Sequence, residues 1–353
     1  MTYKSPLHEM SQTTPTQFWN DNCSLTDLDF AIEHGAVGAT TNPVIVGQVL
    51  EADLPTYKPT IEKLFMENPT ATEDDIAWLL NEKMAVDGAR RLHPIYLKTQ
   101  KKNGYISIQT NSKYFRDTAR MVEQAVGFSK LAENMMVKMP MAAQGIKAVE
   151  ECIYHGVNIN ATISFTVPQA IAVAEAVERG MKRRAAEGKD NSHLFPVCTI
   201  MVGRVEDWLR EVAERENITV DPQALIMSGV AVFKNAYRIY KERGYHTRLL
   251  AAAYRHHHHW SELIGGDVSM TIPPIWIRRF VSSDITVENR MDTPVDPKLV
   301  AQLNKHFPDF VRAYQSDVMK PEEFEFYGAT NRTLKQFLSG YDKMVGIIRS
   351  VMV

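Results

Sequence analysis

A lysine inside an apolar run is the first residue in this chain that invites chemistry. In MMVKMPM (135–141), Lys138 interrupts a stretch that otherwise has the composition of a buried strand. Desolvating an unpaired ammonium costs several kcal/mol or drives the group to its neutral form. A partly desolvated lysine therefore has its pKa lowered from a free value of about 10.4 toward neutrality. The neutral amine can attack a carbonyl and form an imine. Taken alone, Lys138 fits better as a salt-bridged or snorkelling lysine at a strand edge, so its companions decide.

Those companions are the polar residues at the ends of the other strand-like runs. They are Asp21, Asn42, Gln109, Asn160 with Thr162, Thr199 with Arg204, and Arg255. The set is strange for a hydrophobic core and suited to a sugar phosphate. Amides and hydroxyls bind polyol oxygens, and paired arginines suit a phosphate dianion. A structural alternative for Arg204 and Arg255 is ion pairing with Asp207 or Glu262. Thr199 fits equally well as an ordinary strand residue. Lys147 is a rival amine, but it falls on the polar side of the following helix. Asp27 and Asp29 rival Asp21, yet both fit better as helix-start residues.

Eight short runs must position these groups, at residues 16–21, 36–42, 105–111, 135–140, 157–165, 195–203, 247–255 and 268–274. Each is rich in β-branched or apolar residues and bounded by Gly, Asn, Asp or Pro, as buried parallel strands are. Helical patterns lie between them. In QGIKAVEECIYHG, Ile146, Val149, Ile153 and Tyr154 share a face and Gly156 is a stop signal. Eight strands alternating with helices favour a (β/α)8 TIM barrel over an open doubly wound sheet. No GxGxxG follows an early strand, so a dinucleotide fold has no fingerprint. Residues 57–103 read as a helical insertion before the third strand, and residues 295–353 as a helical C-terminal extension. With no linker or repeat, residues 1–353 read as one domain. The C-terminal helices fit two arrangements, over their own barrel mouth or over that of a second copy in a homo-oligomer.

The chain has 353 residues, 44% apolar and 23% charged, with a formal net charge of −2. Near-neutral charge without a basic block argues against nucleic acid or an anionic membrane as a partner. The three cysteines, Cys23, Cys152 and Cys198, are widely spaced and odd in number. They suit a reducing cytoplasm rather than a disulfide framework. The opening residues have no apolar core of signal-peptide length, and no segment approaches a membrane span. RHHHHW (255–260) raises a metal reading through His256 and His259. No Cys or carboxylate completes the set at ligand spacing, so the expectation is no metal, with the run opening the helix after the seventh strand.

GATTNPVIV (38–46), MMVKMPMAAQGIKAVEECIYHGVNINATISF (135–165), VGRVEDW (202–208) and AAAYR (251–255) together resemble the transaldolase family of class I aldolases. Four motifs in the family's order, spread over nearly the whole barrel, are far more specific than one. The resemblance implies a (β/α)8 barrel with a Schiff-base lysine on the fourth strand, which Lys138 matches. It implies that Asp21 takes the proton from the substrate's C4 hydroxyl. It implies that Asn42 and Asn160 bind donor hydroxyls, and that Thr162 helps hold a catalytic water. Arg204 and Arg255 match phosphate-binding arginines, with Thr199 where the family often has serine. The implied reaction moves a dihydroxyacetone unit between sugar phosphates of the pentose phosphate pathway, with no cofactor. Two positions depart from the transferase pattern. Gln109 stands where transaldolases usually carry glutamate, as in the fructose-6-phosphate aldolase branch. An amide can hold a water but cannot relay its proton as a carboxylate does. Met201 stands where transaldolases tend to have phenylalanine and the aldolase branch tyrosine.

Overall fold

The eight apolar, β-branched runs all become strands in the computed structural model, which describes residues 3–353. In chain order they are β1 (Gln17–Asn20), β2 (Gly38–Thr40), β3 (Tyr105–Gln109) and β4 (Met135–Pro140). They continue with β5 (Ile159–Ser164), β6 (Val197–Ile200), β7 (Arg248–Ala251) and β8 (Ser269–Ile272). Each pairs in parallel with its neighbours, and β8 pairs with β1, so the sheet closes into a (β/α)8 TIM barrel. Closure removes every sheet edge and puts the C-terminal ends of all eight strands around one mouth.

Most strands are shorter than their sequence patterns suggest, and the reason lies at the mouth. Asn42 leaves the ladder to cap the helix Pro43–Ala52, its side chain accepting from the Ile45 amide at 3.0 Å. The helix Val202–Glu216 begins directly after Met201. The strand ladder gives way where the next helix starts, because the first amide groups of a helix need partners such as the Asn42 side chain.

Before β3 lie the helices Leu54–Glu67 and Glu73–Lys98, the second opened by a Thr72–Asp75 capping box. After β8 come Pro274–Val281, Pro297–His306, Pro308–Tyr314 and the long helix Gly328–Met352. That last helix returns to the barrel. Its Tyr341, Met344 and Ile348 form a second core with Val46, Leu50, Ile61, Ile76 and Leu80. Further along the helix Glu73–Lys98, Ala85, Ala89 and Leu92 join the main barrel core, so this helix ties the insertion to the barrel. The C-terminal helix covers the mouth of its own barrel, where Phe337 reaches the central cavity. No helix among the described residues is long and apolar enough to cross a membrane.

The C-terminal helix approaches Pro43–Ala52 so closely that a Cβ at Gly340 would collide with Val44, whereas one at Gly346 would meet nothing within 4 Å. Alanine is a better helix former than glycine by roughly 0.5–1 kcal/mol. Gly346→Ala should therefore raise stability by about that much. Gly340→Ala should lower it by about 1–3 kcal/mol through overpacking. Urea melts of the two variants check this, and a Gly340→Ala protein as stable as Gly346→Ala would show that the contact is absent.

Candidate active site

At the C-terminal ends of the strands lies a cavity of about 270 Å³. Seven of the residues singled out from sequence line it: Asp21, Asn42, Lys138, Thr162, Thr199, Arg204 and Arg255. Gln109 and Asn160 lie deeper, as the register partners of Lys138 on β3 and β5. Lys147 is exposed on the helix Ala143–Tyr154. Asp27 and Asp29 pair with Arg278 and Arg91 at 2.7 and 3.5 Å, outside the cavity. A larger cavity of about 340 Å³ lies between the helix Pro222–Arg243 and residues 291–314. Its buried Lys234 is already held by Glu262 at 3.1 Å and by two backbone carbonyls, so that lysine is not a free nucleophile.

Lys138 is only 3% exposed. Burial pushes its pKa below the ordinary lysine value, the Asp21 carboxylate opposes that shift, and Arg204 adds to it. The pKa of Asp21 moves the other way. Burial pushes it up, while Lys138, a hydrogen bond from Thr40 and the charge of Arg204 pull it down. The Thr40 hydroxyl donates to Asp21 Oδ1 at 2.6 Å, and a second hydrogen bond links Thr40 to Thr271. An amine biased toward its neutral form therefore shares a cavity with a carboxyl group biased toward taking up a proton. Such pairs of displaced groups are what acid–base and nucleophilic chemistry requires.

Beside Lys138 the interior is polar and partly unpartnered. Asn160 accepts from Thr199 at 2.7 Å and donates to Ser107 at 3.2 Å. The Thr199 hydroxyl is thus committed to Asn160 although its side chain lines the cavity. Gln109 donates to Ser112 at 2.9 Å, leaving its Oε1 without a partner. Thr162 Oγ1 is likewise buried and unpaired. A strand irregularity sets the place of Thr162: the β5–β6 register shifts between Ala161 and Ser164, and Ile163 has φ of 55°. A β-branched residue in the left-handed region is strained, and such bulges re-aim side chains next to active sites.

The two arginines differ. Arg255 is gripped by Asp207, with its Nε at 2.8 Å from Oδ1 and a second bond from Nη2. The ion pair left open by the sequence is therefore present for Arg255, while Glu262 belongs to Lys234. Arg204 has no carboxylate partner among the described residues. It reaches Gln336 and, at 3.5 Å, Thr333 on the C-terminal helix, and its Nε is unpaired. Burial and the nearby Arg255 push its pKa down to about 10. Two like charges facing one cavity, one of them unneutralised, favour an anion.

The histidine run meets a carboxylate that sequence spacing concealed. Glu206, on the helix Val202–Glu216, lies 2.8 Å from His256 Nε2 and 3.5 Å from His259 Nε2, so potential ligand atoms of all three fall within 4.8 Å. The hydrogen bonding argues for a structural network here. The Arg255 amide donates to His259 Nδ1 at 3.2 Å, which leaves the ring proton on Nε2, where a metal would need a lone pair. Arg210 also holds Glu206, at 2.6 Å. The cluster locks the loop that carries Arg255.

Sequence reasoning missed three residues of the site. Thr40 sits inside the GATTNPVIV motif, and its alternation with Gly38 on the strand was a usable signal. Phe337, which lines the cavity, is nearly two hundred residues from Lys138 in the chain and left no local signal. Tyr254 also lines the cavity and stands in the AAAYR motif without a role assigned to it.

A closed parallel barrel with a buried lysine, a nearby carboxyl group and two arginines around one cavity at the strand C-termini has the architecture of a (β/α)8 barrel enzyme. Comparison with known proteins narrows this. A model of the Transaldolase/Fructose-6-phosphate aldolase family matches residues 18–320, and the chain belongs to that family. Transaldolase 2 of Nostoc sp. PCC 7120 is 27% identical over 328 residues, covering 78% of this chain and 81% of the relative. A transaldolase of Thiobacillus denitrificans is 30% identical over 236 residues, covering 64% of each chain. Transaldolase 2 of Nostoc punctiforme is 27% identical over 342 residues, covering 82% of this chain and 85% of the relative.

The opposed shifts of Lys138 and Asp21 have a pH consequence. Adduct formation at Lys138 should fall as pH drops through its lowered pKa, because the ammonium form has no lone pair. Asp21→Asn removes the charge that favours the ammonium, so this limb should move to lower pH. Borohydride trapping with dihydroxyacetone as a function of pH measures it. A limb that moves to higher pH in the variant would contradict the electrostatic assignment.

Proposed function

We propose that this protein transfers a dihydroxyacetone unit from a ketose phosphate, of the fructose 6-phosphate or sedoheptulose 7-phosphate type, to an aldose phosphate. Neutral Lys138 attacks the C2 carbonyl, and loss of water gives an imine. Asp21 takes the C4 hydroxyl proton, the C3–C4 bond breaks, and the aldose leaves. The bonding pair is held as a three-carbon enamine on Lys138, so the lysine is itself the electron sink. Addition of the enamine to an acceptor aldehyde, then hydrolysis, completes transfer. Asn42 and Asn160 bind donor hydroxyls, Thr162 and Gln109 hold water, and Arg204 with Arg255 binds the phosphate.

The observation that carries this reading is the burial of Lys138 beside Asp21 in a cavity whose rim holds an arginine without a carboxylate partner. Gln109 favours a second reading, in which the enamine is protonated to the imine and water then hydrolyses it, releasing free dihydroxyacetone and regenerating the Lys138 amine. The neutral Gln109 amide orients water without relaying a proton. A specialised phosphorylated or sulfonated sugar fits the same arginine pair. Three buried free cysteines suit a reducing compartment, and we place the reaction in the cytoplasm.

Fructose 6-phosphate supplied with and without erythrose 4-phosphate separates these readings. Acceptor-dependent glyceraldehyde 3-phosphate marks transfer, and acceptor-independent dihydroxyacetone marks cleavage. Borohydride reduction should label Lys138, and a label on Lys147 instead would sink the mechanism. Arg204→Ala should raise KM for phosphorylated donors by about ten- to a hundredfold, as loss of a charge-assisted contact of about 1.5–3 kcal/mol implies. An unchanged KM would remove Arg204 from the phosphate site.

A further inference from the structure

The helix Val202–Glu216 supplies Arg204 to the cavity and, along its first two turns, meets the segment that carries Arg255. At Gly203 the approach is so close that a Cβ would collide with the Ala253 carbonyl and crowd the Arg255 side chain. Glu206 takes His256 at 2.8 Å. Asp207 takes Arg255 itself, accepting from Nε at Oδ1, at 2.8 Å, and from Nη2 at Oδ2. Asp207 is not among the residues that line the cavity, so what it does there it does through Arg255. The donors that this grip leaves free decide what that is. A guanidinium carries five N–H groups in a fixed fork. Asp207 takes one on Nε and one on Nη2, and the Tyr254 carbonyl accepts one from Nη1 at 2.8 Å. One N–H remains on each of Nη1 and Nη2. Together they form the end-on fork of the group, which matches two oxygens of a phosphate. The Arg255 side chain lines the cavity and is 37% exposed, so a ligand can reach it.

We propose that Asp207 is a positioning residue for the substrate's phosphate, holding the Arg255 guanidinium so that its end-on fork is presented to the cavity beside Arg204. The proposal deepens the sugar-phosphate reading above and rests on it. The two arginines then divide the work. Arg204, without a carboxylate partner among the described residues, brings net charge. Arg255, neutralised by Asp207, brings direction. A long side chain already clamped along one edge has less conformational freedom left to lose when a ligand binds. The Asp207 charge taken by itself repels a phosphate. Holding the fork and neutralising it therefore act on phosphate affinity with opposite signs, and the sign of the change on removing Asp207 tells which one governs.

Two readouts test it. The KM for fructose 6-phosphate depends on the phosphate, whereas borohydride trapping with dihydroxyacetone forms the Lys138 adduct without one. Asp207→Ala should raise that KM about tenfold and leave adduct formation unchanged. Asp207→Asn keeps one acceptor oxygen and should give a smaller rise. In an Arg255→Ala background, Asp207→Ala should add nothing further, since its effect passes through that side chain. An unchanged or lowered KM in Asp207→Ala would overturn the proposal, a lowered one showing that the carboxylate only neutralises Arg255. A parallel loss of adduct formation would overturn it as well, by pointing to a general distortion of the barrel mouth. So would an undiminished effect in the Arg255→Ala background. Should Asp207→Ala not fold, Asp207→Asn decides by the same two readouts. Wild-type protein that forms no adduct at Lys138, or does not turn over fructose 6-phosphate, would overturn the sugar-phosphate reading and this proposal with it. Active wild-type protein with unaffected Asp207 variants would overturn this proposal alone.

Discussion

Taking the Lys138 ammonium out of water is unfavourable, and the rest of the structure can be understood from how that cost is distributed. The lysine is buried on the inner wall of a closed barrel, flanked in register by amides rather than by carboxylates. Asp21 opposes its deprotonation from across the cavity. The result is an amine that sheds its proton more readily than one in water, and a carboxyl group that gives its proton up less readily. Both displacements cost stability at neutral pH. A lowered lysine pKa means the folded chain binds that proton less tightly than the unfolded chain does. A raised aspartate pKa means the folded chain binds that proton more tightly than the unfolded chain does. The barrel core and the second core beneath the C-terminal helix offset this strain.

The same region concentrates other unfavourable features. Ile163 and Ala253 occupy left-handed backbone conformations, and Gln109 Oε1, Thr162 Oγ1, Arg204 Nε and the Tyr254 hydroxyl are buried without partners. Some buried polar groups elsewhere on the molecule are fully engaged. Asn134 donates to two carbonyls at 2.8 and 2.7 Å, and Gln169 bonds to several backbone and side-chain groups. Unpartnered polar atoms beside a cavity are groups that a bound ligand or water can satisfy. The Glu206 network and the Asp207 ion pair hold Arg255 outside that strained zone, so the rim is rigid where the interior is unsatisfied.

The barrel itself was legible because parallel, fully buried strands must be apolar and must end in turn-forming residues. That pattern survives without knowledge of the fold. Lys138, Asp21, Asn42 and Arg204 were legible for the same reason: a polar residue at the end of an apolar run has nowhere to go but the mouth. Strand ends were less legible, since the runs read as strands extend through Asn42 and Met201, which stand at the start of helices. Capping is decided by where the next helix begins, which no alternation pattern records.

What the residues alone determined is the order of strands and helices, the membership of the polar set at the strand ends, and the unusual placement of an amine among methionines. These follow from local periodicity and from the cost of burying charge. Only the tertiary structure decided which partners those groups meet. It brought Asp207 to Arg255, Glu206 to the histidines, and Phe337 and Gln336 to the mouth. Barrel closure sets those distances. It joins residues that are far apart in the chain, and the energy of such contacts leaves no mark on the spacing of either partner.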